Sequence, residues 1–264
     1  MPKTMQVSCI QMCSNHDVES NLAKVEIFLK QAAESGSKLV LLPETFSFMT
    51  RNHQEKLRNS EKSHVIFHFL SEKAKQHQLW IIAGSSLFPT EHGDKLHNRC
   101  FIFAPDGSQH AHYDKMHLFD ANLDTESWQE SATIEAGKNP VVVNINDHWQ
   151  AGVSICYDLR FPELYRHYSS QGCNILTVAA AFTVPTGKAH WEILLRARAI
   201  ENQCYILAAA QCGTHSDGRK TYGHSMIVDP WGEIITELPD SEGIITAELN
   251  LSAIQRIRQS LPVL

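Results

Sequence analysis

The chain has 264 residues, of which 43% are apolar and 20% are charged, and its formal net charge is −6. This ordinary globular composition excludes intrinsic disorder. Because the balance is acidic, without a long block of either sign, we expect no nucleic-acid partner and no binding to an anionic membrane surface.

The cysteine pattern and the amino terminus indicate a compartment. The seven cysteines include no CxxC pair, and no apolar run reaches the length of a membrane-spanning helix. The amino terminus alternates like a strand and lacks the apolar segment of a signal peptide. Since free thiols suit a reducing environment, we expect a cytoplasmic protein. No linker or repeat divides residues 1–264, which predicts a single domain.

Strand and helix patterns alternate along the chain. A strand at 5–12 precedes a helix at 18–33, whose apolar residues recur at spacings of three and four. The later predicted strands lie at 38–42, 79–83, 98–103, 110–114, 141–145, 152–156, 175–179, 205–210, 225–228, 233–236 and 243–250, and the later helices lie at about 61–76, from Pro162 onward, and at 189–202. This alternation, with its hairpins, predicts an α/β domain with mixed sheets.

Cys156 follows an apolar strand where a polar turn leads toward a helix near Pro162. Ligands of open α/β sheets bind at the carboxyl ends of strands, so a nucleophile is expected at such a position. The positive end of the helix is expected to lower the pKa of this thiol. From the bare sequence, a buried core cysteine is the alternative.

Glu44 and Lys115 each follow another predicted strand, at 38–42 and 110–114. A carboxylate partly removed from water suits a general base, and a lysine held near a developing negative charge stabilises an oxyanion. Taken singly, the glutamate would be a helix cap or a surface residue, and the lysine a solvated charge. Together with Cys156 they form the base, cation and thiol that acyl transfer needs.

Other chemistries lack their sequence signals. The histidines and cysteines have no metal-ligand spacing, and the glycine motifs of nucleotide binding and the Gly-x-Ser-x-Gly motif of serine hydrolases are absent. His167 and His190 carry no signature of a cysteine–histidine pair. A redox thiol protein is disfavoured because no CxxC pair occurs. We therefore expect neither a metal nor a cofactor.

Three motifs resemble those of the nitrilase superfamily of carbon–nitrogen hydrolases, and the resemblance extends over essentially the whole chain. Glu44 ends the motif Leu-Leu-Pro-Glu, Lys115 lies in Tyr-Asp-Lys-Met-His-Leu-Phe, and Cys156 lies in Ile-Cys-Tyr-Asp-Leu-Arg-Phe-Pro-Glu. These motifs match the Glu-Lys-Cys triad of that family in order and spacing.

A fourth segment matches a second glutamate of the family, which follows an aromatic–Gln pair. Trp128 and Gln129 form such a pair, so the resemblance assigns to Glu130 the role of positioning the lysine, with Glu126 as the second candidate. The omega-amidase branch typically has Met-Arg-Phe-Ala where this chain has Leu-Arg-Phe-Pro. The branch of deaminated glutathione amidases is more similar over residues 156–163, 190–201, 222–224 and 228–232.

The resemblance implies a fold and a reaction. The fold is a four-layer α-β-β-α sandwich, usually assembled as a homodimer or a larger homo-oligomer with sheets stacked across the interface. In the implied reaction, Cys156 attacks the amide of a small-molecule substrate while Glu44 accepts its proton. Lys115 and the backbone N–H of Tyr157 stabilise the oxyanion, and water releases the acid from a thioester.

The implied substrate is a small 2-oxo-acid amide, with deaminated glutathione ahead of 2-oxoglutaramate, the omega-amidase substrate. A catalytically silent binding member is the non-enzyme alternative. Arg160 is the candidate for binding a substrate carboxylate, with a salt bridge to Glu163 as its alternative role. Phe182 and Thr186, which follow a strand end, are expected to supply a pocket wall, although such aromatic residues are often core.

Overall fold

The computed structural model describes residues 3–91, 93, 95–122 and 127–263. Its strands are β1 (Thr4–Gln11), β2 (Leu39–Leu41), β3 (Trp80–Ile82), β4 (Ser86–Pro89), β5 (Leu96–Phe103), β6 (Gln109–Asp114), β7 (Asp120–Asn122), β8 (Ser127–Gln129), β9 (Val142–Asn144), β10 (Gln150–Ile155), β11 (Ile175–Ala180), β12 (Tyr205–Ala210), β13 (Cys212–Thr214), β14 (Lys220–Tyr222), β15 (Ser225–Val228), β16 (Ile234–Leu238) and β17 (Gly243–Asn250). Its α-helices are α1 (Val18–Glu34), α2 (His53–Ser60), α3 (Ser63–His77), α4 (Pro162–Ser170), α5 (Val184–Asn202) and α6 (Leu251–Ser260). Short 3-10 helices lie at Glu130–Ala132 and Cys156–Arg160.

The strands build two large mixed sheets. The first has the order β17-β1-β2-β3-β5-β4, with β6 also paired to β5, and its strands β1, β2 and β3 are parallel. The second has the order β16-β15-β12-β11-β10-β9, in which β10, β11 and β12 are parallel. Parallel strands are covered on both faces, and their near-continuous apolar sequences follow from that burial.

Three apolar clusters show how the layers stack. The first joins residues from the facing sides of both sheets, the second lies between the first sheet and helices α1 and α3, and the third lies between the second sheet and helices α4 and α5. The layers are therefore α-β-β-α, as the resemblance implied. Complete burial of each large aliphatic or aromatic side chain in these clusters stabilises the fold by about 1.5–3 kcal/mol.

The helix boundaries confirm some predictions and correct others. Helix α4 begins at Pro162 as predicted, because proline suits the first turn. The helix predicted at 61–76 corresponds to α3, and α2 precedes it as a separate helix. Helix α5 begins five residues before its predicted start, since the Thr183 side chain caps it. Among the described residues, no helix is long and apolar enough to cross a membrane.

Candidate active site

Several strands end at one edge of the two sheets, and the predicted chemical residues follow them. Glu44 comes three residues after β2, Lys115 directly follows β6, and Cys156 directly follows β10. Strands running in one direction deliver the residues after their carboxyl ends to a common edge. Glu130 reaches the same place from the end of the β7–β8 ribbon. The structure thus brings together all four side chains that the sequence singled out.

Lys115 is the centre of this group and is only 2% exposed. Its Nζ donates to Glu44 Oε1 at 2.9 Å and to Glu130 Oε2 and Oε1 at 2.8 and 3.1 Å. Asn98 Nδ2 donates to Glu44 Oε1 at 2.9 Å and to Glu130 Oε1 at 3.3 Å. The backbone N–H of Phe119 also donates to Glu130 Oε2, at 2.7 Å. Both carboxylates are therefore held against one ammonium group.

The charges of this group stabilise one another. Burial by itself would lower the pKa of Lys115, but the carboxylates of Glu130 and Glu44 hold that pKa well above its usual value. Burial would likewise raise the pKa of Glu130, yet the Lys115 cation and the hydrogen bonds from Lys115, Phe119 and Asn98 lower it. An ammonium and ionised Glu130 are thus the resting state near neutral pH.

Cys156 differs from the prediction in its acidity. Burial, followed by the negative charge of Glu44, raises the pKa of the Cys156 thiol well above its usual value, although Lys115 and a hydrogen bond from the Ala181 backbone act in the opposite direction. The predicted lowering by the α4 amino terminus is therefore wrong, because desolvation outweighs it. The resting sulfur is a protonated thiol in the same cavity as the Glu44 carboxylate.

The backbone at Cys156 is strained. Its φ is +51°, in the left-handed region that residues with a Cβ seldom adopt. Such a conformation costs about 1–3 kcal/mol and persists where the surroundings over-determine it. Here this conformation lets the chain turn from β10 into the 3-10 helix Cys156–Arg160. The turn places Cys156 in the same cavity lining as Lys115 and Glu44.

Asp158 holds this turn, and sequence reasoning did not identify it. Its fully buried carboxylate accepts hydrogen bonds from Ile155 N at 2.8 Å and Tyr113 Oη at 2.7 Å, and from His117 N and Nδ1 at 3.0 and 2.7 Å. Tyr113 and His117 lie two residues on either side of Lys115, and Ile155 precedes Cys156. Asp158 therefore fixes the strand ends that carry the cation and the thiol relative to each other.

A cavity of about 330 Å³ opens onto these side chains. Its lining includes Glu44, Lys115, Glu130 and Cys156, and Trp128 from β8. Further lining residues are Thr45, Arg51, Lys56, Asn98, Ala181, Thr183 and Arg219. The volume suits a small organic molecule. Among the described residues, no group of three or more metal-ligating side chains is placed to hold a metal ion.

The residues predicted to contact substrate border the cavity, since Phe182 lies between the lining residues Ala181 and Thr183, and Thr186 contacts Thr183. Among the described residues, the cavity lining does not include Arg160, Phe182 or Thr186. The Arg160 guanidinium lies 5.7 and 5.4 Å from the ring centroids of Tyr157 and Phe182, and its Nη1 is 3.2 Å from His190 Nδ1. Within the same described residues, no salt bridge joins it to Glu163 either.

The two pocket-wall candidates lie at the start of α5. Phe182 is buried, with its ring centroid 4.8 Å from that of Trp191, and Thr186 Oγ1 lies 2.8 Å from Thr183 Oγ1 in the first turn of the helix. The segment was expected to be a loop, whereas residues 184–187 are helical. Glu126, the second candidate for the positioning glutamate, lies outside the described residues.

Tyr157, the predicted backbone donor, follows the nucleophile candidate directly. It stands in the first turn of the 3-10 helix Cys156–Arg160, where backbone N–H groups have no acceptor within the helix. Its ring packs edge-on against Phe119 at 5.2 Å and against Phe161 at 5.6 Å. This packing fixes the peptide that carries the N–H.

Comparison with known proteins identifies the family. The model of the carbon-nitrogen hydrolase family matches residues 6–259. The chain therefore belongs to that family, which confirms the superfamily, the fold and the hydrolase class expected from the sequence.

Individual relatives fall in two branches. The deaminated glutathione amidase of Synechocystis is 42% identical over 266 residues, covering 99% of this chain and 97% of that protein. Omega-amidase NIT2 of Danio rerio is 34% identical over 264 residues, covering 98% of this chain and 92% of that protein. The crystal structure of the Caenorhabditis elegans NitFhit protein superposes with a TM-score of 0.92 at 36% identity, covering 98% of this chain and 64% of that longer chain.

Proposed function

We propose that this protein is an amidase that hydrolyses a small 2-oxo-acid amide through a thioester on Cys156. The observation that carries the proposal is the convergence of Glu44, Lys115, Glu130 and Cys156 on one cavity. A thiol, a neighbouring carboxylate that can take its proton and a fixed cation are the parts that nucleophilic acyl transfer needs. Residues of this cavity can fill each of these roles, so the proposed reaction requires no cofactor.

In the first step, Glu44 accepts the Cys156 proton as the sulfur attacks the amide carbonyl. A thiol of raised pKa needs such a base, and Glu44 lines the same cavity as Cys156. The transfer leaves the summed charge of Glu44, Lys115, Glu130 and Cys156 unchanged, because a proton moves only between members of the group. Lys115 and the Tyr157 backbone N–H then stabilise the tetrahedral oxyanion.

In the second step, the carbon–nitrogen bond breaks. Protonated Glu44 donates its proton to the departing nitrogen, and the acyl group remains on Cys156 as a thioester. The same carboxylate then takes a proton from the water that attacks the thioester, and it returns this proton to the sulfur as the carboxylic acid departs. Glu130 acts through its three contacts with Lys115 and Phe119, which keep the ammonium group in place.

The proposed substrate is deaminated glutathione, which would give 2-oxoglutarate and cysteinylglycine. Support comes from the 42% identity to the deaminated glutathione amidase of Synechocystis over nearly the whole of both chains. The second candidate, 2-oxoglutaramate, is supported by the 34% identity to omega-amidase NIT2 of Danio rerio. The two substrates share the 2-oxo-acid acyl group and differ in what departs.

The test measures both amides side by side, with the Cys156→Ala variant as the blank. A tenfold difference in kcat/KM corresponds to about 1.4 kcal/mol and is enough to assign the preference. We expect deaminated glutathione to be preferred. A preference for 2-oxoglutaramate would replace the substrate assignment, and turnover of neither amide above the blank would remove it.

Three further proposals concern the location, the oligomeric state and the domain organisation of the enzyme. A cytoplasmic location is supported by seven cysteines that all remain free thiols. A homodimer or larger homo-oligomer is supported by the exposed apolar side chains Ile193, Ile200 and Trp231 around α5. A single domain is supported by the cluster that packs the two sheets against each other. Analytical ultracentrifugation tests the oligomer, and a monomer at micromolar concentration would contradict it.

A further inference from the structure

Two carboxylates flank the Lys115 ammonium, and both oxygens of Glu130 are engaged there. Glu130 Oε1 accepts a hydrogen bond from Lys115 at 3.1 Å and one from Asn98 at 3.3 Å. Its Oε2 accepts from Lys115 at 2.8 Å and from the Phe119 backbone at 2.7 Å. A carboxylate held at both oxygens has a fixed place but no oxygen turned toward a reacting group.

The two oxygens of Glu44 differ from each other. Oε1 accepts hydrogen bonds from Lys115 Nζ and from Asn98 Nδ2, each at 2.9 Å. Among the described residues, no N–H or O–H group donates to Oε2, so its lone pairs are available for a proton. Glu44 and Cys156 line the same cavity, and the charge of Glu44 contributes to the raised pKa of the Cys156 thiol. Of the four carboxylate oxygens, Glu44 Oε2 is the one that the described contacts leave open.

Asn98, on strand β5, connects the parts of this arrangement. Its backbone carbonyl accepts the Lys115 N–H at 3.0 Å, because β5 pairs with β6 and Lys115 directly follows β6. Its side chain is buried, and the two amide N–H groups reach Glu44 and Glu130. One residue therefore holds the cation through its main chain and both carboxylates through its amide.

The orientation of the Asn98 amide follows from charge. Turning the amide over would bring Oδ1, which can only accept, against two carboxylate oxygens that also only accept. In the observed orientation Oδ1 is buried and, within the described part of the chain, has no hydrogen-bond partner. A buried acceptor without a partner destabilises a fold. The favourable contribution of this amide therefore lies in its N–H groups and the carboxylates they hold.

A second donor on Glu44 Oε1 restricts the carboxylate. The terminal torsion of a glutamate is broad, so a carboxylate held by the lysine alone can turn and exchange its two oxygens at the ammonium. The Asn98 N–H fixes the same oxygen from another direction, which limits this rotation. Such restriction matters for rate, since a misplacement of about 1 Å can cost about 10²-fold.

We propose that Asn98 is a positioning residue that, with Lys115, holds Glu44 Oε1 and thereby presents Oε2 to the Cys156 proton. The inference rests on the proposed function and deepens it, because it assigns the oxygen through which the proton passes. Oε2 accepts the proton as the sulfur–carbon bond forms and donates it to the nitrogen as the carbon–nitrogen bond breaks. It then takes a proton from the attacking water and returns it to the departing sulfur. Asn98 exchanges no proton and acts through Glu44.

The first test replaces Asn98 by Leu, which has a similar size and no hydrogen-bond donor. We expect kcat for deaminated glutathione to fall about 10- to 100-fold, because the base is misaligned, while KM changes less than about threefold. Asn98→Ser shortens the side chain without adding apolar surface. It should show the same division between kcat and KM, and it provides the measurement if the leucine variant does not fold.

The second test needs no amide cleavage. When iodoacetamide alkylates a thiol, the sulfur displaces iodide and the thiol proton passes to a base. Peptide mapping gives the rate at Cys156 and, in the same sample, at Cys13, the other cysteine that is not buried. In both Asn98 variants we expect alkylation of Cys156 to slow about tenfold, because its proton acceptor is misaligned. The rate at Cys13 should stay unchanged.

Asn174→Leu is the matched control. Asn174 is also a buried asparagine, but its Nδ2 donates to His148 O at 2.7 Å and its Oδ1 accepts from Gln150 N at 3.1 Å. It precedes β11, at the opposite end of the second sheet from Cys156. The control should lower the thermal stability, as the loss of buried hydrogen bonds does, and leave both kcat and the alkylation rate of Cys156 unchanged.

Each contrary result has a distinct meaning. If the Asn98 variants keep the kcat and the alkylation rate of the wild type, the inference is overturned and the proposed function stands. A rise in KM at unchanged kcat would also overturn it, since Asn98 would then bind substrate instead of positioning the base. If the wild type cleaves neither deaminated glutathione nor 2-oxoglutaramate, the proposed function fails, and the alkylation rates alone decide the role of Asn98.

Discussion

Replacing Lys115 by Met tests the charge arrangement of the site. The methionine keeps an apolar stem of similar length but removes the ammonium that Glu44 and Glu130 share at 2.8–3.1 Å. Among the described residues, the donors left to the two carboxylates would then be the Asn98 amide and the Phe119 N–H. Leaving a buried ionic partner uncompensated costs about 3–5 kcal/mol, so the variant should lose that much stability at pH 7.5.

The stability loss of Lys115→Met should depend on pH. In the wild type, Lys115 holds the pKa of Glu130 below its unfolded value, so this contribution is present at neutral pH and is lost as the pH falls through the folded-state pKa. In the variant, a buried carboxylate without its cation has a pKa above the unfolded value. The folded variant then binds the extra proton, and its stability should rise on acidification by up to about 1.4 kcal/mol per pH unit for each proton.

The assay is urea unfolding of Lys115→Met and wild type at pH 7.5 and pH 5.5, followed by circular dichroism. Lys220→Met, at an exposed position on β14, is the matched control and should change stability by less than about 0.5 kcal/mol. A penalty below about 1 kcal/mol at pH 7.5, or one that grows on acidification, would refute the reasoning.

Three other substitutions test separate parts of the structure. Glu44→Gln removes the proton acceptor without changing shape, and rapid-quench kinetics should show acylation of Cys156 slowed about 10²- to 10⁴-fold. Asp158→Asn leaves some of its four donors unpaired, so chemical denaturation should show a loss of at least about 2 kcal/mol, and kcat should fall more than KM rises. Gly152→Ala places a Cβ inside the Tyr168 ring, which should cost about 1–3 kcal/mol in thermal or urea unfolding.

For each of these three substitutions, a control variant or a specific outcome can contradict the prediction. A normal burst of released amine in Glu44→Gln would remove the base assignment. For the aspartate, Asp106→Asn on an exposed turn is the comparison, and equal effects at the two positions would contradict the positioning role. Gly243→Ala, where the added Cβ meets only the end of the Leu238 side chain at 3.2 Å, should be much milder than Gly152→Ala. Comparable losses of stability in Gly243→Ala and Gly152→Ala would argue against the packing explanation.

The sequence predicted those elements whose residues carry a strong local pattern. Strands β15 and β17 have the predicted bounds, because the turn between 229 and 232 and the alternation at 243–250 mark their ends. Helix α2 was missed since it is short and almost wholly polar, with Ser60 as its one buried residue. The β7–β8 and β13–β14 ribbons were missed because their three-residue strands are largely exposed and show no hydrophobic period.

In the site, too, residues with a strong local signal were predicted, whereas effects of tertiary packing were not. Placing Glu44, Lys115 and Cys156 at strand ends was enough to expect them together, because parallel strands end at a common edge. The sign of the Cys156 pKa shift depends on burial and on the Glu44 charge, which appear only in the tertiary structure. Asp158 lies in the motif that contains Cys156, so its position was a usable signal, but three of its four hydrogen bonds reach a segment more than forty residues away.

In the proposed reaction, the acyl group of the substrate is bound to Cys156 as a thioester before hydrolysis. Mixing the enzyme with deaminated glutathione, quenching in acid within milliseconds and measuring the intact mass by mass spectrometry tests it directly. Our account predicts a transient species heavier by one 2-oxoglutaryl group, located by peptide mapping on Cys156 and lost on longer incubation. Turnover of the amide without any such adduct, or with the adduct on another residue, would contradict it.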